Sequence, residues 1–230
     1  MGRRGEGYGS EDHFLRYRAE RSRELDRALL AALEAGTEGS VEWVYPTGAS
    51  DEREPEGLEF LTDREDVLTR WKAYWPQRGR AQTWDGIAKL HRGESYDWVL
   101  IEAKANTVEF VTPPCGASKD GGRDQIEKTL NRLKTHLGVH RHFPWRGTYY
   151  QYINRLAVLH FLNDLSGVPA QLVHVYFVGD CFPDGRECPS SEADWQRLIE
   201  ARRLTLGLPN RHALTDRTHE IFLAVPTRVA

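Results

Sequence analysis

The stretch from residue 84 to residue 106, "WDGIAKLHRGESYDWVLIEAKAN", decides the fold. Two apolar runs flank "HRGESY" (91–96), whose Gly and polar residues are turn formers, so the segment predicts a hairpin with strands near 83–90 and 97–106. Side chains alternate along a strand. Val99, Ile101, Ala103 and Ala105 therefore share one face, and Trp98, Leu100, Glu102 and Lys104 share the other. The first face is apolar throughout. The second turns charged only at its end, where Glu102 and Lys104 project together about 6–7 Å apart. An unpaired buried charge costs several kcal/mol, so this pair must be satisfied or face a cleft. Asp85 starts the preceding strand. In an antiparallel hairpin that position lies level with the end of the next strand, beside Glu102 and Lys104.

Outward from the hairpin, the pattern is a mixed α/β order. Residues 1 to 10 are Gly-rich and charged and are expected to be disordered. A helical period runs from about 11 to 35, and "VEWVYP" (41–46) reads as a strand. Asp63 to Trp75 is an amphipathic helix that Pro76 ends. Further helices are expected near 122–137, 149–165 and 191–204, with strands at 170–180 and 220–225. The strand "AQLVHVYFVGD" is apolar on both faces, as a covered parallel strand is. We read residues 11–230 as a single domain, with a core of about 41–180 and a C-terminal helix and strand at 190–226.

Composition narrows the function. A net charge of -3 excludes coating nucleic acid by bulk charge, though not through a local basic groove. Three cysteines, Cys115, Cys181 and Cys188, are too few for a disulfide framework and suit a reducing cytoplasm. No apolar run is long enough for a membrane span, and the N-terminus has no apolar signal segment, so no membrane partner is expected.

Two carboxylates and an ammonium in one small space suit a hard cation, Mg²⁺ or Mn²⁺, with water and phosphate oxygen in its remaining positions. Such an ion acidifies a water for attack on phosphorus, and the lysine orients that water and offsets the charge that develops. With this spacing, "WD…IEAK" resembles the D…ExK core of the PD-(D/E)XK nuclease superfamily. Asp85 matches the Asp, Glu102 and Lys104 match the Glu-x-Lys, and 16 residues lie between Asp85 and Glu102. Trp84 stands where the motif has Pro. More narrowly, "YWPQRG…TWDGIAKL", "VLIEAKAN", "PPCGAS" and "YYQYINRLAVL" are similar to a group of bacterial proteins assigned to that superfamily.

The resemblance implies a restriction-endonuclease-like α-β-β-β-α-β core, a central mixed sheet flanked by helices. It implies Asp85, Glu102 and the Ala103 carbonyl as metal ligands, Lys104 as the catalytic lysine that orients or activates the attacking water, and cleavage of DNA ahead of RNA, with a homodimer compatible. It also suggests an acid from the first helix, for which Glu20, Glu24 and Glu34 are candidates. Helical spacing puts Gln151, Asn154 and Arg155 on one face, and the resemblance, in which the helix after the Glu-x-Lys strand can bring a Gln or Tyr to the cleft, implies that Gln151 and Arg155 line the site. The run Arg123, Lys128, Arg132, Lys134, Arg141 and Arg146 offers either a phosphate track or a solvated face. Like-charge repulsion between Asp85 and Glu102 suggests that Glu102→Ala stabilises the metal-free fold. A second class of function stays open: a catalytically silent module that kept the fold and binds nucleic acid or a protein partner.

Overall fold

The structure is a computed structural model, and it describes residues 7–48, 53–77, 79, 81–181 and 183–226. Five strands form one sheet: β1 (Ser40–Tyr45), β2 (Gly86–Arg92), β3 (Ser95–Lys104), β4 (Ala170–Val178) and β5 (Thr218–Ala224), in the order β1-β2-β3-β4-β5. The first three are antiparallel neighbours, and β4 and β5 are added in parallel. This is a mixed α/β sheet, and both of its faces are covered.

The hairpin forms where the apolar alternation placed it, but its turn is shorter. Ladder pairs continue to Arg92↔Ser95, so only Gly93 and Glu94 remain unpaired rather than six residues. Gly93 sits at φ 64°, a conformation that a Cβ would strain. His91, Arg92, Ser95 and Tyr96 carry polar or aromatic side chains at the end of the hairpin rather than the apolar alternation of a covered strand, which is why they read as loop.

The strand faces divide the core in two. Ile87, Trp98, Leu100, Leu172 and Tyr176 face one cluster, covered by α3 (Glu65–Tyr74), α5 (Asp124–Leu137) and α6 (Tyr150–His160). Ala88, Leu90, Val99, Ile101, Ala103, Val173 and Val175 face the other, covered by α1 (Ser10–Glu20) and α2 (Ser22–Ala32). Each fully buried aliphatic or aromatic side chain contributes roughly 1.5–3 kcal/mol. β3 lies at the centre of the sheet with both faces covered, so its charged end is held in a rigid frame. A four-residue α4 (Thr107–Phe110) follows it at once, capped by the Asn106 side chain, which accepts the Glu109 N–H.

The helix expected over 11–35 is two helices. Arg21 leaves the helical region (φ -133°, ψ 31°), so Phe14 and Tyr17 of α1 and Leu25 and Leu29 of α2 all reach the same sheet face. The helix expected over 149–165 is α6 followed by a π-turn at residues 161–165. α7 (Glu192–Leu206) lies between β4 and β5 in the chain. Of the N-terminal segment expected to be disordered, residues 1–6 lie outside the described residues. Gly9 and Ser10 are placed: Gly9 donates its N–H to Asp180, and α1 begins at Ser10. No helix among the described residues is long and apolar enough to cross a membrane.

Candidate functional site

The β2–β3 register fixes the centre of the site. Gly86 pairs with Ile101, so the residue before it, Asp85, falls opposite Glu102. The Asp85 Oδ2 accepts the backbone N–H of Ala103 at 2.7 Å, which pins the carboxylate to the end of β3. Lys104 projects on the same side as Glu102, and its Nζ donates to Glu102 Oε1 at 2.5 Å. Asp85, Glu102 and Lys104 thus come together, as the strand parity demands. Ala103 is buried, with its side chain on the opposite face.

Arg155 reaches the same carboxylate from α6. Its Nε donates to Glu102 Oε2 at 2.8 Å. Its two other guanidinium nitrogens donate to Asn154 Oδ1 at 2.8 Å and to the Thr83 carbonyl at 2.5 Å. The guanidinium also lies over the Trp84 ring, 4.6 Å from the centroid. Trp84 is held in turn by its indole N–H, donated to the Gly57 carbonyl at 2.9 Å. A flat, buried ring before Asp85 therefore acts as a platform for a buried cation. Arg155 is only 2% exposed, and Glu102 is 3% exposed.

Gln151, one turn before Arg155, lines a cavity of 520 Å³ together with Gln82, Thr83, Asn154 and Arg155. Gln151 and Arg155 thus share one wall, but only Arg155 touches Glu102. Asp85, Glu102 and Lys104 are not on that wall; the cavity meets them through Arg155 and Thr83.

The two carboxylates differ electrically. Burial pushes the Asp85 carboxyl up to about 8, and the negative charge of Glu102 adds to this against the pull of Lys104 and the Ala103 N–H. Glu102 behaves oppositely. Burial opposes its ionisation, but Arg155 and Lys104 outweigh that and hold it below the usual carboxylate range. At neutral pH Asp85 is thus mostly protonated and Glu102 is ionised between two cations. Adjacent acids driven apart in this way mark sites that handle protons or cations.

Several neighbours were not legible beforehand. His174 pairs side by side with Glu102 across β3 and β4, and Glu220 pairs with His174 from β5, so one row runs across the sheet. Burial lowers the His174 pKa, and the cations Arg202, Lys104 and Arg155 lower it further, keeping the ring neutral. Its position as a polar residue inside the largely apolar run Leu172–Val178 was the available signal. Glu54, in the loop before Gly57, also raises the Asp85 pKa. That loop is drawn alongside by the bridge of Glu56 with Thr83 and by the Trp84 N–H on the Pro55 carbonyl. The helical acids lie elsewhere. α1 and α2 cover the other sheet face, where Glu20 pairs with Arg16 and Glu24 with Arg21.

The basic run also divides. Lys134 is buried, and its Nζ donates to the Arg141 and Phe143 carbonyls, so it fastens the loop after α5 rather than tracking a phosphate. Arg146 pairs with Glu127. No protein-family model matches this chain, and comparison with curated proteins and with solved structures gives no match.

Proposed function

We propose that this protein is a divalent-metal-dependent nuclease on a restriction-endonuclease-like core, hydrolysing phosphodiester bonds of DNA ahead of RNA. The observation that carries this reading is the convergence of Asp85, Glu102 and Lys104 at the paired ends of β2 and β3. Asp85, Glu102 and the Ala103 carbonyl would hold Mg²⁺ or Mn²⁺. Their chemistry fits: oxygen donors only, one of them a carboxyl whose proton a cation would displace. The ion supplies an acidified water and offsets negative charge at phosphorus.

The chain's own groups supply the rest. Arg155 clamps Glu102 through Oε2 and leaves Oε1 to Lys104. Lys104, whose ammonium stands beside Glu102 Oε1, would orient the attacking water and donate to a phosphate oxygen. In this reading the cavity bounded by Gln82, Thr83 and Gln151 would take the strand next to the scissile bond.

One observation favours a second reading. Glu102 has both oxygens engaged, by Lys104 and by Arg155, so the charge network closes on itself without an ion. That is what a catalytically silent nucleic-acid or protein-binding module would retain. Incubation with single- and double-stranded DNA and RNA in Mg²⁺ or Mn²⁺ separates the two. The nuclease reading expects cleavage that a chelator stops and that Asp85→Ala abolishes. No cleavage of any of these substrates, in either metal, leaves the silent module.

A further inference from the structure

A second cluster lies at the far end of α6 from Gln151. His136 sits in the last turn of α5, His160 ends α6, and Asp164 lies in the π-turn that follows. The Asp164 Oδ2 is 2.8 Å from His160 Nδ1 and 3.2 Å from His136 Nε2. The two imidazole rings face each other with centroids 4.3 Å apart. One atom from each residue falls within a 4.8 Å circle. We propose that His136, His160 and Asp164 form a zinc-binding site, separate from the Asp85–Glu102 pair.

The chemistry selects the ion. Two imidazole nitrogens and one carboxylate oxygen are a borderline donor set that suits Zn²⁺ and leaves a fourth position for water, whereas Mg²⁺ wants oxygen alone. The two separations to Asp164 come close to what zinc requires. Tetrahedral ligands at about 2.0–2.1 Å from zinc stand about 3.3 Å apart. The His136–Asp164 separation is already there, and the His160–Asp164 separation needs to open by about half an ångström. His160 and Asp164 meet as an i,i+4 pair on one helical face, and His136 reaches the same carboxylate from α5. Access is open on one side: His160 is buried, but the side chains of His136 and Asp164 are about one-third exposed, 31% and 38%. Zinc here would tie the end of α5 to the end of α6, taking the place of the contact that His160 Nδ1 now makes with the carboxylate.

The test uses the full chain without a histidine tag, stripped of metal. Co²⁺ serves as the visible probe and Zn²⁺ as the competitor. Wild-type protein is expected to show the intense ligand-field bands of one four-coordinate Co²⁺, distinct from the weak bands of an ion held by oxygens alone, and Zn²⁺ is expected to displace it. His136→Ala and Asp164→Asn change exposed groups and should leave the fold intact by circular dichroism, yet each should weaken Zn²⁺ at least tenfold. The neighbouring His140 and His142, whose rings also meet, are the competing explanation. A double variant with both changed to Ala should bind zinc as wild type does. The proposal is overturned if wild-type protein binds no Zn²⁺, if His136→Ala binds it undiminished, or if the His140/His142 variant is the one that loses it.

Discussion

Glu102→Ala is expected to destabilise the metal-free protein by about 3–5 kcal/mol, because it strands a buried guanidinium and a largely buried ammonium. The Arg155 side chain is 2% exposed and that of Lys104 12%, and both spend their charge on Glu102. Repulsion between Asp85 and Glu102 alone suggests the reverse, a gain in stability from the same substitution. Two features reverse the sign. Asp85 is mostly protonated at neutral pH, so the repulsion is already relieved. Arg155, moreover, is bound more deeply than an exposed helix face would allow. Urea denaturation near pH 7 in a chelator measures the difference. Glu102→Gln keeps acceptor capacity toward Arg155 and should lose distinctly less. An Ala variant as stable as wild type would mean that the cations are solvated and the network is not buried.

Lys104→Ala is expected to leave divalent-metal binding intact or slightly tighter and to lower turnover about 10²–10³-fold, the usual loss for one preorganised donor at a developing charge. The fold should survive, since Arg155 continues to hold Glu102 through Oε2. Metal binding should survive because removing the ammonium frees Glu102 Oε1. Single-turnover cleavage at saturating Mn²⁺ measures the loss. Lys104→Ala protein that cleaves at the wild-type rate would remove the lysine from the mechanism.

The part of this arrangement written in the sequence is the part that strand parity controls. Trp98 to Ala105 alternate so strictly that one register satisfies both covered faces, and that register alone puts Glu102, Lys104 and Asp85 together. Arg155 was legible as a face-mate of Gln151, but its burial was not. That depends on Trp84 lying beneath it and on the Thr83 carbonyl accepting from it, contacts between segments more than 70 residues apart. Glu54 and His174 join through loop placement and a parallel ladder, neither of which has a local signature. The break at Arg21 was hidden because both helices keep apolar residues at helical spacing. Lys134 looked like surface charge because nothing in its own helix reveals that the Arg141 and Phe143 carbonyls fold back over it.

If Asp85 and Glu102 hold one divalent ion, as proposed, the raised pKa of Asp85 gives its binding a pH signature. Asp85 carries a proton below about 8, and a cation must expel that proton to bind. Calorimetric titration with Mn²⁺ between about pH 6 and pH 9 reads this directly. The His136→Ala background keeps the second cluster silent. One Mn²⁺ per chain is predicted, with an affinity that rises roughly tenfold per pH unit up to about pH 8 and then levels off. Asp85→Asn in the same background should bind weakly at every pH and show no such rise. Mn²⁺ that fails to bind at any pH, or that binds Asp85→Asn as well as the parent, would contradict the account.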